Sequence, residues 1–257
     1  MDILELCKNK KTLLLTIGDS WTFGDSMLGE KEHYLKSPAG QHHRKKHLWG
    51  RHLSDRLDYD WLNIAEPGIS NKVMVDYLDY FKNTKKYHRY KHIFAVIVLT
   101  ETGRELEQLD WKNHRQELQT SEQKIYNAIK KHTDEKMSFT VARNFTVNYK
   151  RTQVPRNIKF VEKNWQSVLL ESQCIRLVDV RGPASGVALW IYENYNPSVV
   201  KNPAYKKFVI DTVDSAQPLW DAMDASKLNY SRATRHPTEQ GHRIWADYLY
   251  DNYFQNN

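Results

Sequence analysis

Two cysteines, Cys7 and Cys174, are all that 257 residues contain. So few exclude a disulfide framework and fit a reducing compartment. The apolar run nearest the N-terminus, Leu13 to Ile17, is too brief for the core of a signal peptide or for a membrane span. A cytoplasmic protein without signal peptide or membrane partner is therefore expected. No stretch rich in Pro, Gly or Ser divides the chain, and no internal repeat is visible. One domain over residues 1–257 is the simplest organisation. His-Glu-x-x-His and paired-cysteine spacings are both missing. The histidines at 33, 42, 43, 47 and 52 sit among basic neighbours. Structural or substrate-binding roles are preferred for them, and neither a metal nor a cofactor is expected.

What is present is enough apolar residue, 40%, for a real core in one α/β domain. Lys and Arg exceed Asp and Glu by 38 to 31, a formal charge of +7. Basic residues cluster at His42 to His47 and at Lys85 to His92. Such clusters are commonly solvated loops, but they also suit an anionic partner. Aromatics are abundant, with 8 Trp, 15 Tyr and 8 Phe. Many must be core, and some are candidates to line a groove for sugars or bases.

Read in order, Thr12 to Ile17 is a buried strand, apolar without alternation. Residues 23–46 read as an irregular insertion beside it. His47 to Leu57 repeats apolar residues at helical spacing. A short strand follows at Trp61 to Ile64, then a helix from Asn71 to Phe81 with Ser70 as its N-cap. Ile93 to Leu99 is the strongest strand and should be central. Glu105 to about Thr133 is polar and mostly helical. Ser138 to Ala142 is a fourth strand, Asn157 to Ser172 a helix, and Cys174 to Val180 a fifth strand. Residues 182–232 form an irregular accessory segment, and Thr238 to about Phe254 is the last helix. Alternating strands and helices imply a parallel sheet covered on both faces.

Strand one ends in Gly18-Asp19-Ser20, which sets a serine hydroxyl at the carboxyl end of a strand, the edge where open α/β sheets bind ligands. Alone this triplet is weak. Three further stretches join it: Asn63 to Asn71 with Pro67-Gly68, Glu101-Thr102-Gly103-Arg104 after the third strand, and Ala233 to His242 with His236-Pro237 opening a helix. In this order and spacing the chain resembles the SGNH (GDSL-type) hydrolases from about Thr12 to about Tyr253. The run from Asp60 to Asn71 is similar to members encoded by tailed bacteriophages, which would fit modification of a host glycan.

The resemblance implies a flavodoxin-like three-layer α/β/α sandwich with a five-stranded parallel sheet in the order 2-1-3-4-5. It implies Ser20 as nucleophile, activated by His236 as general base. The oxyanion would be held by backbone N–H groups of Ser20 and Gly68 and by a side chain of the third block. Asp19, Asn71 and Arg104 join that oxyanion and substrate-binding set. Two departures stand out. Thr102 occupies the place of the family's asparagine, and a hydroxyl donates one hydrogen bond on a shorter arm. Ala233 occupies the place of the aspartate that would orient the histidine.

Three explanations stay open. Another carboxylate orients His236, with Glu101, Asp221, Asp224 and Glu239 as candidates and Glu101 favoured. A backbone carbonyl does so. Or hydrolysis has been lost and a binding cleft kept. The expected function is a serine esterase or deacylase removing a short acyl group, such as acetyl, from a carbohydrate or other small ester. The alternative is a binding module for an anionic glycan, nucleotide or nucleic acid.

Overall fold

Leu13 to Ile17 form the heart of strand β2, Thr12–Gly18, and every residue from Leu13 to Gly18 is buried. The computed structural model describes residues 2–25, 27, 37–100, 127–131, 136–144, 157–165, 168–169 and 236–255. Around β2 lie β1 (Asp2–Leu6), β3 (Asp60–Ala65), β4 (His92–Leu99), β5 (Met137–Arg143) and β6 (Ile158–Phe160). The helices are α1 (Ser20–Phe23), α2 (Pro38–His47), α3 (Trp49–Leu57), α4 (Asn71–Lys82), α5 (Lys85–His88) and α6 (Glu239–Leu249), which runs on as a π-helical turn, Tyr250–Phe254.

The strand order is β1-β3-β2-β4-β5-β6. All neighbouring pairs are parallel except β1 with β3. The expected order 2-1-3-4 for the first four parallel strands is therefore present as β3-β2-β4-β5. Two corrections concern the edges. Among the described residues the sheet has six strands, the four expected at 12–17, 61–64, 93–99 and 138–142 being joined by Ile158–Phe160 beyond β5 and by an antiparallel edge strand, Asp2–Leu6. Its alternation is real, with Ile3 39% exposed and Leu4 5% exposed, but spans too few residues to be read from sequence. The second correction is at 157–172, read as one helix. Ile158–Phe160 instead pairs with β5, tied by the Phe139 N–H to the Asn157 carbonyl and the Val161 N–H to the Val141 carbonyl, 2.8 Å each. Pairing with an open strand overrides helical spacing here, and helical backbone begins only at Trp165.

The insertion at 23–46 also differs from its reading, because part of it is helix. Ser37 caps α2, its hydroxyl accepting the Gly40 N–H at 3.1 Å, with Pro38 in the first turn. Leu48 is extended and separates α2 from α3. The strand read at 174–180, the accessory segment 182–232 and most of the helix read at 105–133 lie outside the described residues.

Consecutive residues of the central strands feed two cores. Leu14, Val96 and Val98 face α3, α6 and five indoles or their neighbours, among them Trp49, Trp165 and Trp245. Leu13, Leu15, Ile17, Ala95 and Ile97 face Met74, Leu78 and Phe81 of α4, with Ile129. This is a three-layer α/β/α arrangement. The tryptophans at 21, 49, 61, 165 and 245 are all buried, so these five build core rather than a groove. Trp165 is their hub: stacked on Trp245 at 5.3 Å and edge-on to Trp21 at 5.2 Å and Trp49 at 6.0 Å.

Asp60, at the start of β3, fastens the edge. Its buried carboxylate accepts the N–H groups of Lys8 (2.7 Å) and Lys10 (3.0 Å) and the Tyr90 hydroxyl (3.1 Å). Burial by itself would raise its pKa, but these donors outweigh burial and hold it below the ordinary carboxylate value. A depressed pKa contributes stability that is present above the unfolded value and lost as pH falls through the folded one. Asp60→Asn should therefore lower stability by about 1–3 kcal/mol at pH 7 and flatten the acid limb below about pH 4. Urea melts of both proteins at pH 7 and pH 3 measure this.

Candidate active site

β2 ends at Gly18, where a Cβ would lie 2.1 Å from the Thr22 hydroxyl oxygen. Only glycine lets the chain turn back so tightly into α1. Asp19 caps that helix, its Oδ1 accepting the Trp21 N–H at 3.1 Å. The same oxygen accepts the Asn144 amide at 2.7 Å, and Asn144 is fully buried just after β5, where its N–H bonds the Leu99 carbonyl. The ends of β2, β4 and β5 are thus tied together under Ser20, the first residue of α1, which is 6% exposed.

α1 is held at its other end as well. A buried relay runs from Trp61 Nε1 to the Thr16 hydroxyl (3.0 Å), from that hydroxyl to Asn63 Oδ1 (2.6 Å), and from Asn63 Nδ2 to the Thr22 carbonyl (3.3 Å). From the insertion, the fully buried Arg44 donates to the Phe23 carbonyl at 3.2 Å, and its guanidinium lies 3.9 Å from the centre of the Phe23 ring. Sequence reading did not single out Arg44, Asn63 or Asn144, because their partners are far away in the chain.

The loop after β3 approaches the same edge, with the Glu66 N–H on the Gly18 carbonyl at 3.4 Å. Gly68 has φ +78°, a left-handed conformation that disfavours side chains, and the space where its Cβ would sit is open. Asn71 is buried, and its side chain clamps the end of β4: its amide donates to the Thr100 carbonyl (2.9 Å) and its oxygen accepts the Thr100 N–H (2.8 Å). Glu101, Thr102 and Arg104, which follow that clamp in sequence, lie outside the described residues.

His236 reaches this edge from the other end of the chain. Its Nε2 is 3.9 Å from Asp25 Oδ2, and the Asp25 N–H bonds the Ser20 carbonyl at 2.9 Å. Among the described residues no hydrogen bond joins the Ser20 hydroxyl to the imidazole, and His236 Nδ1 is buried without a partner. Of the carboxylates considered for His236, Glu239 faces elsewhere, toward His43 at 2.7 Å and His47 at 3.3 Å. Asp221 and Asp224 lie outside the described residues, as does Ala233. Asp25 was missed, although its signal is in the sequence: Gly24-Asp25-Ser26 repeats the Gly18-Asp19-Ser20 triplet.

His242, the other histidine of this stretch, is fully buried. Its Nδ1 accepts the Trp49 N–H at 3.3 Å, serving a helix α3 whose N-cap, Leu48, has no side-chain acceptor. Burial first, then His52, His236 and His47, push its pKa down to about 3. A histidine neutral in the fold but protonated when unfolded contributes stability above its unfolded pKa of about 6.5, and loses it as pH falls toward 3. His242→Asn keeps an acceptor near the Nδ1 position. It should be less stable than wild type at pH 7.5 yet lose less of its Tm between pH 7.5 and pH 5, as calorimetric scans at the two pH values would show.

Comparison with known proteins gives structural likeness only. No family model matches the sequence, and no curated protein matches it. A family two carbohydrate esterase from Clostridium thermocellum, in an active-site mutant, is similar over 94% of this chain and 64% of its own, with 12% identity and a TM-score of 0.46. The chain thus spans less than two thirds of that esterase. A GDSL-like lipase from Parabacteroides merdae matches over 94% of this chain and 95% of its own (10% identity, TM-score 0.40). A catalytic mutant of an acetylxylan esterase from Geobacillus stearothermophilus matches over 93% and 92% (12% identity, TM-score 0.38).

Proposed function

We propose that this chain is a serine ester hydrolase of the SGNH type, acting on a short acyl, in particular acetyl, ester of a carbohydrate or other small alcohol. One observation carries the reading. Ser20 sits at the carboxyl end of the central strand on a helix braced at both ends, and His236, 216 positions further along the sequence, lies beside the Asp25 carboxylate whose own N–H bonds Ser20. Neighbourhood of this kind between a candidate nucleophile and an imidazole is what acyl transfer needs.

In this reading the Ser20 hydroxyl attacks the acyl carbon while His236 takes its proton. The Ser20 and Gly68 N–H groups, with Thr102 as a third donor, hold the oxyanion. His236 then protonates the departing alcohol, and water attacks the acyl-serine with His236 again as base. Asp25 takes over the electrostatic part of the work left undone by Ala233, while Asp19, Asn71 and Asn144 position the backbone that carries the donors. The runner-up, a module that binds an anionic ligand without turnover, is favoured by Ala233, by Thr102 and by the basic clusters.

Hydrolysis of p-nitrophenyl acetate and of acetylated xylo-oligosaccharides separates the two. Ser20→Ala should reduce kcat by about 10³-fold or more. Asp25→Asn should reduce it by roughly 10–10²-fold, less than the 10²–10⁴ that the positioned base itself contributes, and with little change in KM. Equal rates for wild type and Ser20→Ala would overturn the esterase reading.

A further inference from the structure

Outside the candidate active site, three side chains from two helices converge on one point. His43 and His47 are one turn apart on α2 and present their rings side by side, centroids 4.4 Å apart. Glu239, in the first turn of α6, directs one carboxylate oxygen to His43 Nε2 at 2.7 Å and the other to His47 Nδ1 at 3.3 Å. One donor atom from each residue lies within 4.8 Å of the other two.

From this geometry we infer a binding site for a divalent transition-metal ion of the zinc class, held by His43 Nε2, His47 Nδ1 and the Glu239 carboxylate. Two imidazoles and a carboxylate are a donor set that zinc accepts, with room for a water as fourth ligand. Histidines at i and i+4 on a helix are the spacing that puts two rings on one ion. A simple hydrogen-bonded cluster accounts less well for the contact. His43 Nε2 is buried and lies 2.7 Å from a Glu239 oxygen, yet makes no hydrogen bond among the described residues.

Cysteine and His-Glu-x-x-His patterns are not needed for such a site, because the carboxylate comes from 192 positions beyond His47 and only the fold supplies it. The ion would pin α2, and with it Arg44, against the N-terminus of α6, three residues after His236. The site is independent of the esterase reading, and its test uses no substrate.

Zinc titration of the metal-stripped full-length chain by calorimetry should show one tight site. Cobalt in its place should give the visible absorption of a low-symmetry N/O site. At a hundredfold excess over Kd, zinc should raise Tm by about 5 °C or more. Loss of an outer-shell partner alone costs about 10–100-fold in affinity, so His43→Asn and His47→Asn should each weaken binding by at least about tenfold. Circular dichroism of both variants checks that they are folded, and the two histidine variants stand in should Glu239→Gln fail to fold. With 11 histidines in the chain, adventitious binding is the competing outcome. Equal affinity in wild type and His47→Asn, or no binding, overturns the site.

Discussion

The buried carboxylate of Asp19 is the constraint on which the candidate site depends. A carboxylate taken out of water is tolerable only where donors replace its hydration. Asp19 finds them in the N–H of Trp21, the second residue of α1, and in the amide of Asn144, beyond the end of β5. One oxygen thereby sets the direction of α1 and its place over the sheet. Gly18 makes the turn sterically allowed, and Asn63 and Arg44 hold the carbonyls at the far end of α1. A helix of four residues has no stability of its own. Its rigidity comes from these external bonds, and so does the aim of the Ser20 hydroxyl.

The same economy of fixed points governs the rest of the functional edge. Asn71 uses both halves of its amide on the main chain of Thr100, which locks the Gly68 loop to the end of β4. The Tyr77 hydroxyl donates to the Glu66 carboxylate at 2.6 Å, and burial together with Glu66 pushes its pKa up to about 12. The hydroxyl therefore stays a donor throughout the neutral range, and the loop that carries Gly68 keeps this brace. On the opposite side, His242 stays neutral and accepts the Trp49 N–H. Two histidines six residues apart thus have unlike surroundings: His242 is sealed among indoles, while His236 keeps partial access to solvent beside a carboxylate.

Much of the fold was legible because continuous apolar runs announce buried parallel strands. β2 and β4 appear where such runs predict them, β3 and β5 appear where shorter, mixed strands are read, and α4 begins after the Ser70 cap that its sequence offers. The misreadings have one cause. Local spacing at 157–172 favoured a helix, but the hydrogen-bonding edge of β5 took Ile158–Phe160 as a strand. The N-terminal strand and α2 were too short or too polar for periodicity to register. Each is stabilised by what it packs against: β1 by β3 and the Asp60 pin, α2 by the buried stacking of Arg44 on Phe23.

By itself the sequence determined a parallel sheet covered on both faces and the placing of Ser20 at the end of β2, while the order of the central strands was implied only by the resemblance to a known family. The covered sheet and the place of Ser20 follow from hydrophobic pattern and from Gly-Asp-Ser chemistry, which act over a few neighbouring residues. Only the tertiary structure decided which carboxylate lies beside His236, that Asn144 holds Asp19, and that Glu239 faces His43 and His47. Those pairings join residues more than a hundred positions apart, and no local preference encodes them. They come into being when the sheet closes and α6 docks, since a buried polar group takes whichever partner the packing brings within reach.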